Sequence, residues 1–259
     1  MDKRGQITVF IILGIVIVAV IVLLFAFRKD IISTPATTEN LNKIMRDINK
    51  HIEGCMEDSA EDPLNRIALQ GGYLEVPADS YRLWDDTTVS YLCYNQPEVD
   101  RCMNRLLTRE NMEVQLEKAI KNELMQCIDV QQFQSSGILK TYDVIAKNQI
   151  ELDVVIARTD VLLELKFPIT LKSTKDENVV SEDTFNVNIE KPLGDLYDVA
   201  MDIIDAETAL GKFDTLTYML SKTGRYTIYL QQPYPDKIYA MKLREGDYIF
   251  QFAVEGEPS

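Results

Sequence analysis

Four cysteines are the residues whose type and number point most directly to chemistry. They are Cys55, Cys93, Cys102 and Cys127. An even number of cysteines, in a chain that also carries an export-like N-terminal segment, predicts two disulfides. Free buried thiols are the alternative. Because the chain has no Cys-x-x-Cys pair and structural zinc needs tighter ligand spacing, the pattern favours disulfides over zinc.

Two amphipathic helices are predicted to position two of the cysteines. Apolar residues recur every three or four positions over residues 41–56, which places Cys55 on the packed face of a helix. A second helix, beginning near Glu110, places Cys127 in the same way. The preferred pairing joins these two cysteines and leaves the other two for a local bridge. Four cysteines nevertheless allow three pairings, and the sequence alone leaves the choice open.

Candidates for catalysis are few. His51 is the only histidine, so sites that use histidine as the base are disfavoured. The chain contains no GxGxxG, P-loop, GxSxG or HExxH motif. We predict no catalytic residue, no metal site and no cofactor.

Acidic side chains are plentiful and occur in clusters. They include Glu57, Asp58, Glu61, Asp62, Asp85, Asp86, Asp176, Glu177, Glu182 and Asp183. No pair among them is singled out as the two acids of a hydrolase, and EF-hand spacing is absent from residues 57–62. Solvated surface charge is the favoured interpretation, and an anchored carboxylate hydrolase is the lesser alternative.

The overall charge narrows the choice of partners. With 41 acidic and 27 basic residues, the chain has a formal net charge of -14. Such a surface repels phosphates, so we expect no nucleic-acid partner. Trp84, with Tyr81 and Tyr91 nearby, is a candidate for part of a carbohydrate-binding face, although aromatic residues at this density more often belong to a core.

Residues 7–27 form an uncharged apolar run that predicts a transmembrane helix. As a helix, this run spans about 31 Å, close to the roughly 30 Å thickness of a bilayer core. It is longer than the core of a cleaved signal peptide, and no small-x-small site follows it, so a retained anchor in contact with membrane lipid is expected. Basic residues flank both ends, and counting them nearly ties the two orientations.

The sequence KRGQITVF at residues 3–10 resembles the class III signal peptides of archaeal type IV pilin-like proteins. The resemblance implies cleavage between Gly5 and Gln6 by a prepilin peptidase, an apolar segment retained on the mature protein, and other pilin-like subunits as partners. Phe10 stands where many of these pilins carry a glutamate, and this difference favours a subunit that does not polymerise. Residues 69–73 and 250–254 look like uncharacterised archaeal surface proteins.

The resemblance and the cysteines together predict a cytoplasmic N-terminus and an extracellular C-terminal domain. The expected function is a non-enzymatic cell-surface protein, either a pilin-like subunit or a structural or adhesion component of the envelope. A monomeric tethered binding module is the alternative.

The predicted fold class is α+β: an N-terminal transmembrane helix, a helical segment, and an antiparallel β-sheet packed with a helix. The expected divisions are a basic leader (1–6), the transmembrane helix (7–27), a neck (28–40), a helix-rich disulfide-bearing region (41–135) and a sheet domain with one helix (136–259). Alternating apolar residues predict a strand pair around Arg158-Thr159-Asp160 and a final hairpin around residues 244–247.

Overall fold

The computed structural model describes residues 38–95, 102–129, 142–146, 150–174 and 176–256. The helices of this part are α1 (Thr38–Leu69), α2 (Arg109–Cys127), α3 (Leu193–Leu210) and α4 (Thr215–Ser221). Its strands are β1 (Tyr81–Trp84), β2 (Thr87–Tyr94), β3 (Met103–Asn104), β4 (Tyr142–Ala146), β5 (Glu151–Ile156), β6 (Val161–Ser173), β7 (Val179–Ile189), β8 (Tyr226–Gln231), β9 (Lys237–Leu243) and β10 (Phe250–Val254).

Helix α1 is longer than its sequence pattern predicts, because it continues through Pro63 to Leu69. A proline inside a helix costs about 3 kcal/mol relative to alanine. The residues that follow it compensate, since Leu64 and Ile67 are fully buried and each buried side chain of this size contributes roughly 1.5–3 kcal/mol. Tertiary packing therefore outweighs the tendency of Pro63 to break the helix.

The smaller sheet is four-stranded and antiparallel, with β6 at its centre. On one side, β5 pairs with the first half of β6 and β4 with the second half, whereas β7 pairs with β6 on the other side. The register between β6 and β7 shifts between Lys166 and Ile169, which is where Pro168 lies. Proline lacks a backbone N–H, so a bulge is one of the few places where a central strand accepts it.

The larger sheet is six-stranded and mixed. Its order is β1-β2-β10-β9-β8, with β3 also paired to β2. β2 and β10 run parallel, and every other pair in this sheet is antiparallel. The parallel pair joins strands separated by most of the described chain, and for this reason local sequence patterns do not predict it.

The edge of β5 is covered by α2. The backbone N–H of Ile156 donates to Oε1 of Glu113 at 2.8 Å, and that of Val154 donates to Oε1 of Glu117 at 3.4 Å. Outward N–H groups on a strand repeat about every 6.8 Å, and residues four apart on a helix repeat about every 6 Å. The two glutamates thus act as acceptors in place of a neighbouring strand.

One main hydrophobic core joins the helices to both sheets. Helix α1 packs on β6 and β7 and also on β2 and β10, while α2 packs on β5 and α3 packs on β2, β3, β9 and β10. Tyr248 ties α1 to the last strands, since its hydroxyl donates to the carbonyl of Leu64 at 2.6 Å. The regions predicted on either side of residue 136 therefore share a sheet and a core.

The α+β class is confirmed, but the predicted fold class is wrong in its other parts. The predicted transmembrane helix is not supported: among the described residues, no helix is both long and apolar enough to cross a bilayer. α1 has the length but carries charged residues throughout, and residues 7–27 themselves lie outside the described part. The single antiparallel sheet is corrected to two sheets, one of them mixed.

Two local predictions in the second half of the chain are confirmed. The strand pair around Arg158-Thr159-Asp160 is confirmed as β5–β6, and the final hairpin is confirmed as β9–β10. Residues 73–76, which follow α1, form irregular backbone. Gly71 and Gly72 have positive φ angles there, and they turn the chain away from the end of α1.

Candidate functional site

The cysteines form two disulfides. Cys55 on α1 is joined to Cys127 at the end of α2, with their Cα atoms 5.7 Å apart. Cys93 on β2 is joined to Cys102, with their Cα atoms 5.1 Å apart. These are the preferred pairs among the three possible pairings. Disulfides of this kind indicate an extracellular or otherwise oxidising compartment.

A cleft of about 540 Å³ opens beside the second disulfide, at one end of the larger sheet. It lies between the end of α3, the start of β9 and the end of β10. Its polar lining includes Asn95, Glu207, Lys237 and Glu255. This volume falls within the range of about 300–1,000 Å³ found for small-molecule sites, so the cleft is the leading candidate for a binding site.

Glu207 lines the cleft and is only 3% exposed. Lys237 donates to its Oε2 at 2.6 Å and to the carbonyl of Gly211 at 2.9 Å, while the hydroxyl of Tyr239 donates to Oε1. Burial, reinforced by this carboxylate, raises the pKa of Tyr239 above its ordinary value. Gly211 ends α3 with a left-handed backbone conformation, at φ 69°. Because the Lys237 ammonium binds the carbonyl at this end of the helix, it also neutralises the negative end of the helix dipole.

Asp236 is a second buried carboxylate, next to the cleft. Arg82 donates to its Oδ2 at 2.7 Å, the hydroxyl of Tyr91 donates to the same oxygen at 2.8 Å, and the N–H of Gly256 donates to Oδ1 at 3.0 Å. Burial raises the pKa of Tyr91 to about 12, and the neighbouring carboxylate adds to the shift. This network links β1, β2 and the end of β10 to the start of β9.

Asp195, a third buried carboxylate, lies in the first turn of α3 and is fully buried. Arg158 donates through Nε to Oδ1 at 3.1 Å, and Arg225 donates to Oδ2. The backbone N–H of Asp195 also donates to the carbonyl of Arg158 at 2.8 Å. Two guanidinium groups and the helix N-terminus together satisfy this charge, which is a structural arrangement rather than an open site.

Several residues singled out in the sequence are not brought together. Gly5 and Gln6 lie outside the described residues. His51 lies on α1, where Nε2 is 3.8 Å from Sγ of Cys55. Glu182 is partly buried. The other clustered acids, at positions 57, 58, 61, 62, 85, 86, 176, 177 and 183, are exposed.

Trp84 and Tyr91 lie on the outer face of the larger sheet. Both pack on a small cluster formed by Val89, Ile238 and Ala253, which is separate from the main core. Tyr81, by contrast, is 46% exposed on the edge strand β1. Of the three aromatic residues singled out in the sequence, only Trp84 and Tyr91 therefore pack on the same cluster.

The three buried carboxylates were missed in the sequence, although two of them left a signal. Glu207 lies four residues after Ile203, and Asp195 lies four residues before Val199, so both acids continue the apolar stripe of α3. An acid on such a stripe predicts a buried ion pair. Asp236 lies in a turn and left no comparable signal.

Internal hydrogen bonds fix the polar lining of the cleft. Glu207, Lys237 and Asn95 each already hold a hydrogen-bond partner, so the lining presents a fixed set of donors and acceptors. Two carboxylates and one ammonium give the lining a negative balance, which disfavours anionic ligands. Within the described ranges, no group of three or more His, Cys, Asp or Glu side chains is arranged to hold a metal ion.

No protein-family model, curated protein or solved structure matches this chain.

Proposed function

We propose that this chain is an exported, non-enzymatic cell-surface protein, either a pilin-like subunit or a structural or adhesion component of the envelope. The observation that carries the proposal is the pair of disulfides, Cys55–Cys127 and Cys93–Cys102, in a chain whose N-terminus reads KRGQITVF before an uncharged run. The disulfides support an oxidising compartment, and the N-terminal sequence supports export by the route of archaeal type IV pilin-like proteins. Residues 7–27 would contact lipid or the same segment of other subunits.

Processing by an archaeal prepilin peptidase tests the proposal. The full chain is expressed with and without the peptidase, and the intact masses are compared. We expect loss of the first five residues, which would leave Gln6 as the new N-terminus. Gly5→Val should prevent this loss, whereas Gly14→Val, a matched change inside the apolar run, should permit it. A full-length mass in the presence of active peptidase would exclude the pilin-like route.

A binding module that never polymerises is the second candidate, and the cleft favours it. The Glu207–Lys237 pair fixes two polar groups in the lining of the cleft, and Phe10 stands where polymerising pilins commonly carry a glutamate. The size of the processed protein in detergent solution separates the two candidates. Filaments or long ladders of subunits would count against the binding module, and a uniform monomer would count against polymerisation.

A further inference from the structure

The cleft at the end of the larger sheet contains one charge that the chain does not compensate. Lys237 is paired with Glu207, so these two charges cancel. Glu255 lies in the same lining, and Oε2 of its carboxylate accepts the backbone N–H of Asn95 at 2.7 Å. Among the described residues, no lysine or arginine pairs with Glu255, and its Oε1 has no donor. The lining therefore holds one net negative charge.

The end of α3 adds acceptors that lack donors. Ala209, Leu210 and Gly211 all line the cleft, and the carbonyl of Gly211 already accepts from Lys237. The carbonyls of Ala209 and Leu210 are the last of the helix and have no intrahelical donor. No other N–H of the described backbone donates to them. A ligand at this end of the cleft therefore meets acceptor oxygens and must itself supply the donors.

The size and the remaining lining of the cleft indicate an organic ligand. Its volume of about 540 Å³ far exceeds the roughly 30 Å³ share of one water molecule. Pro235 and Val254 contribute apolar surface beside the polar groups. A bound metal ion is disfavoured, because both carboxylate oxygens of Glu207 already accept hydrogen bonds and Ca²⁺ requires six to eight oxygen ligands. A cation with a carbon chain matches this lining better.

We propose that the cleft binds a small aliphatic primary ammonium ion. The inference rests on the second candidate function, the binding module, and names the class of its ligand. The three N–H groups of an ammonium match the open acceptors, which are Oε1 of Glu255 and the carbonyls of Ala209 and Leu210. Hydrogen bonds from an ammonium to a carboxylate are charge-assisted. The carbon chain of the ligand packs on Pro235 and Val254, and its single charge balances the lining.

An NMR titration of the full chain in detergent solution tests the inference. The probes are n-butylammonium, n-butanol and butyrate, which share a carbon chain and differ in charge. Near pH 7 the amine is protonated, as a lysine is. We expect butylammonium to shift the backbone amide signals of Gly211 and Gly256, which line the cleft, in a saturable way. For so small a ligand the dissociation constant should be about 1 mM, and butanol and butyrate should cause no saturable shift.

Removing one charge separates the cleft from the general attraction of an acidic chain for cations. Glu255→Gln removes the charge and keeps a carbonyl acceptor for the N–H of Asn95. We expect it to raise the dissociation constant about tenfold. Glu245→Gln is the matched control, since Glu245 is exposed beyond the far end of β9, roughly 20 Å from the cleft. Equal losses of affinity in the two variants would overturn the inference.

Filling the cleft supplies a second arm of the test. Ala209 is exposed at the end of α3, so Ala209→Trp places an indole in the cleft without disturbing the core. Ser221→Trp makes the same kind of change at the exposed end of α4, outside the lining. We expect Ala209→Trp to abolish the binding of butylammonium and Ser221→Trp to preserve it. The dispersion of the amide signals verifies that each variant is folded. Undiminished binding by Ala209→Trp would place the ammonium elsewhere.

The outcomes separate this inference from the proposed function. Filaments of a protein that binds butylammonium in the cleft would remove the monomeric binding module and retain the ligand class. A uniform monomer that binds none of the three probes, or binds all three alike, would overturn the ligand class and leave the binding module standing.

Discussion

Lys237 holds its ammonium nitrogen 2.6 Å from Oε2 of Glu207, a carboxylate that is 3% exposed. Removing only the cation leaves a buried charge without compensation, which costs about 3–5 kcal/mol in other proteins. We expect Lys237→Met to lower the free energy of unfolding by about 3 kcal/mol, measured by urea denaturation.

Two further variants control for this effect. Lys212→Met removes an exposed lysine at the end of α3 and should change the stability by less than about 0.5 kcal/mol. Combining Lys237→Met with Glu207→Gln removes both charges and should recover part of the loss. A Lys237→Met protein as stable as the parent would contradict the account of Glu207 as a buried, compensated charge.

The two disulfides close loops of different length, so we predict that they contribute differently to the free energy of unfolding. Cys55 and Cys127 are 72 residues apart, whereas Cys93 and Cys102 are 9 apart. The chain-entropy relation gives about 4.4 kcal/mol for the long loop and about 2.7 kcal/mol for the short one. Replacing the first pair by serines should therefore destabilise the protein more than replacing the second, as measured by thermal and urea unfolding. The reverse order would mean that native-state packing, and not loop closure, sets the contributions.

The raised pKa of Tyr91 predicts that the protein loses stability at alkaline pH. In an unfolded chain tyrosine ionises near pH 10, at about its reference pKa, whereas burial and Asp236 raise the pKa of Tyr91 to about 12. As the pH rises, the unfolded state releases this proton first. The stabilising effect is therefore complete below about pH 10 and is lost as the pH rises to about 12.

Urea denaturation across this pH range measures the effect. Tyr91→Phe should make the decline with pH shallower, even though it costs about 1 kcal/mol at neutral pH through the lost hydrogen bond. An unaltered slope in Tyr91→Phe would show that this tyrosine does not contribute to the alkaline transition.

Because Glu113 and Glu117 on α2 cover the edge of β5, we predict that α2 helps to prevent aggregation. Replacing both with alanine leaves the outward N–H groups of Val154 and Ile156 without their acceptors. We expect a loss of about 2 kcal/mol in stability and faster aggregation on heating, because the β5 edge becomes available for pairing. Light scattering during heating measures the aggregation.

Matched substitutions on α2 test this role. Glutamine at positions 113 and 117 keeps a carbonyl acceptor and should preserve most of the protection. Glu123→Ala removes an exposed acid from the same helix and should have no effect. If the double alanine variant aggregates no faster than Glu123→Ala, then the glutamates do not protect the edge.

Periodic patterns in the sequence predicted the elements that a single apolar face defines. The spacing around Cys55 and Cys127 indicated two helices with their cysteines on the packed side, and the structure joins these cysteines. Apolar residues that alternate with mostly polar neighbours in residues 150–156 and 163–171 predicted β5 and β6. Such elements are predictable because burial of one face dictates the period.

Features that depend on distant parts of the chain escaped prediction. The parallel pairing of β2 with β10 brings Tyr91 beside Ala253, a relation that no local pattern encodes. Asp236 likewise gains its partners, Arg82 and Tyr91, from strands far away in the sequence. The cleft is built from ends of separate elements and could not be located without the tertiary structure.

The intact mass of the protein purified from its native cells, with and without reduction and alkylation, tests the central claim most directly. Export as a pilin-like surface protein predicts the loss of Met1–Gly5, together with four cysteines that resist alkylation until they are reduced. A chain that retains Met1–Gly5 and alkylates at all four cysteines without reduction would contradict both the export route and the oxidising compartment.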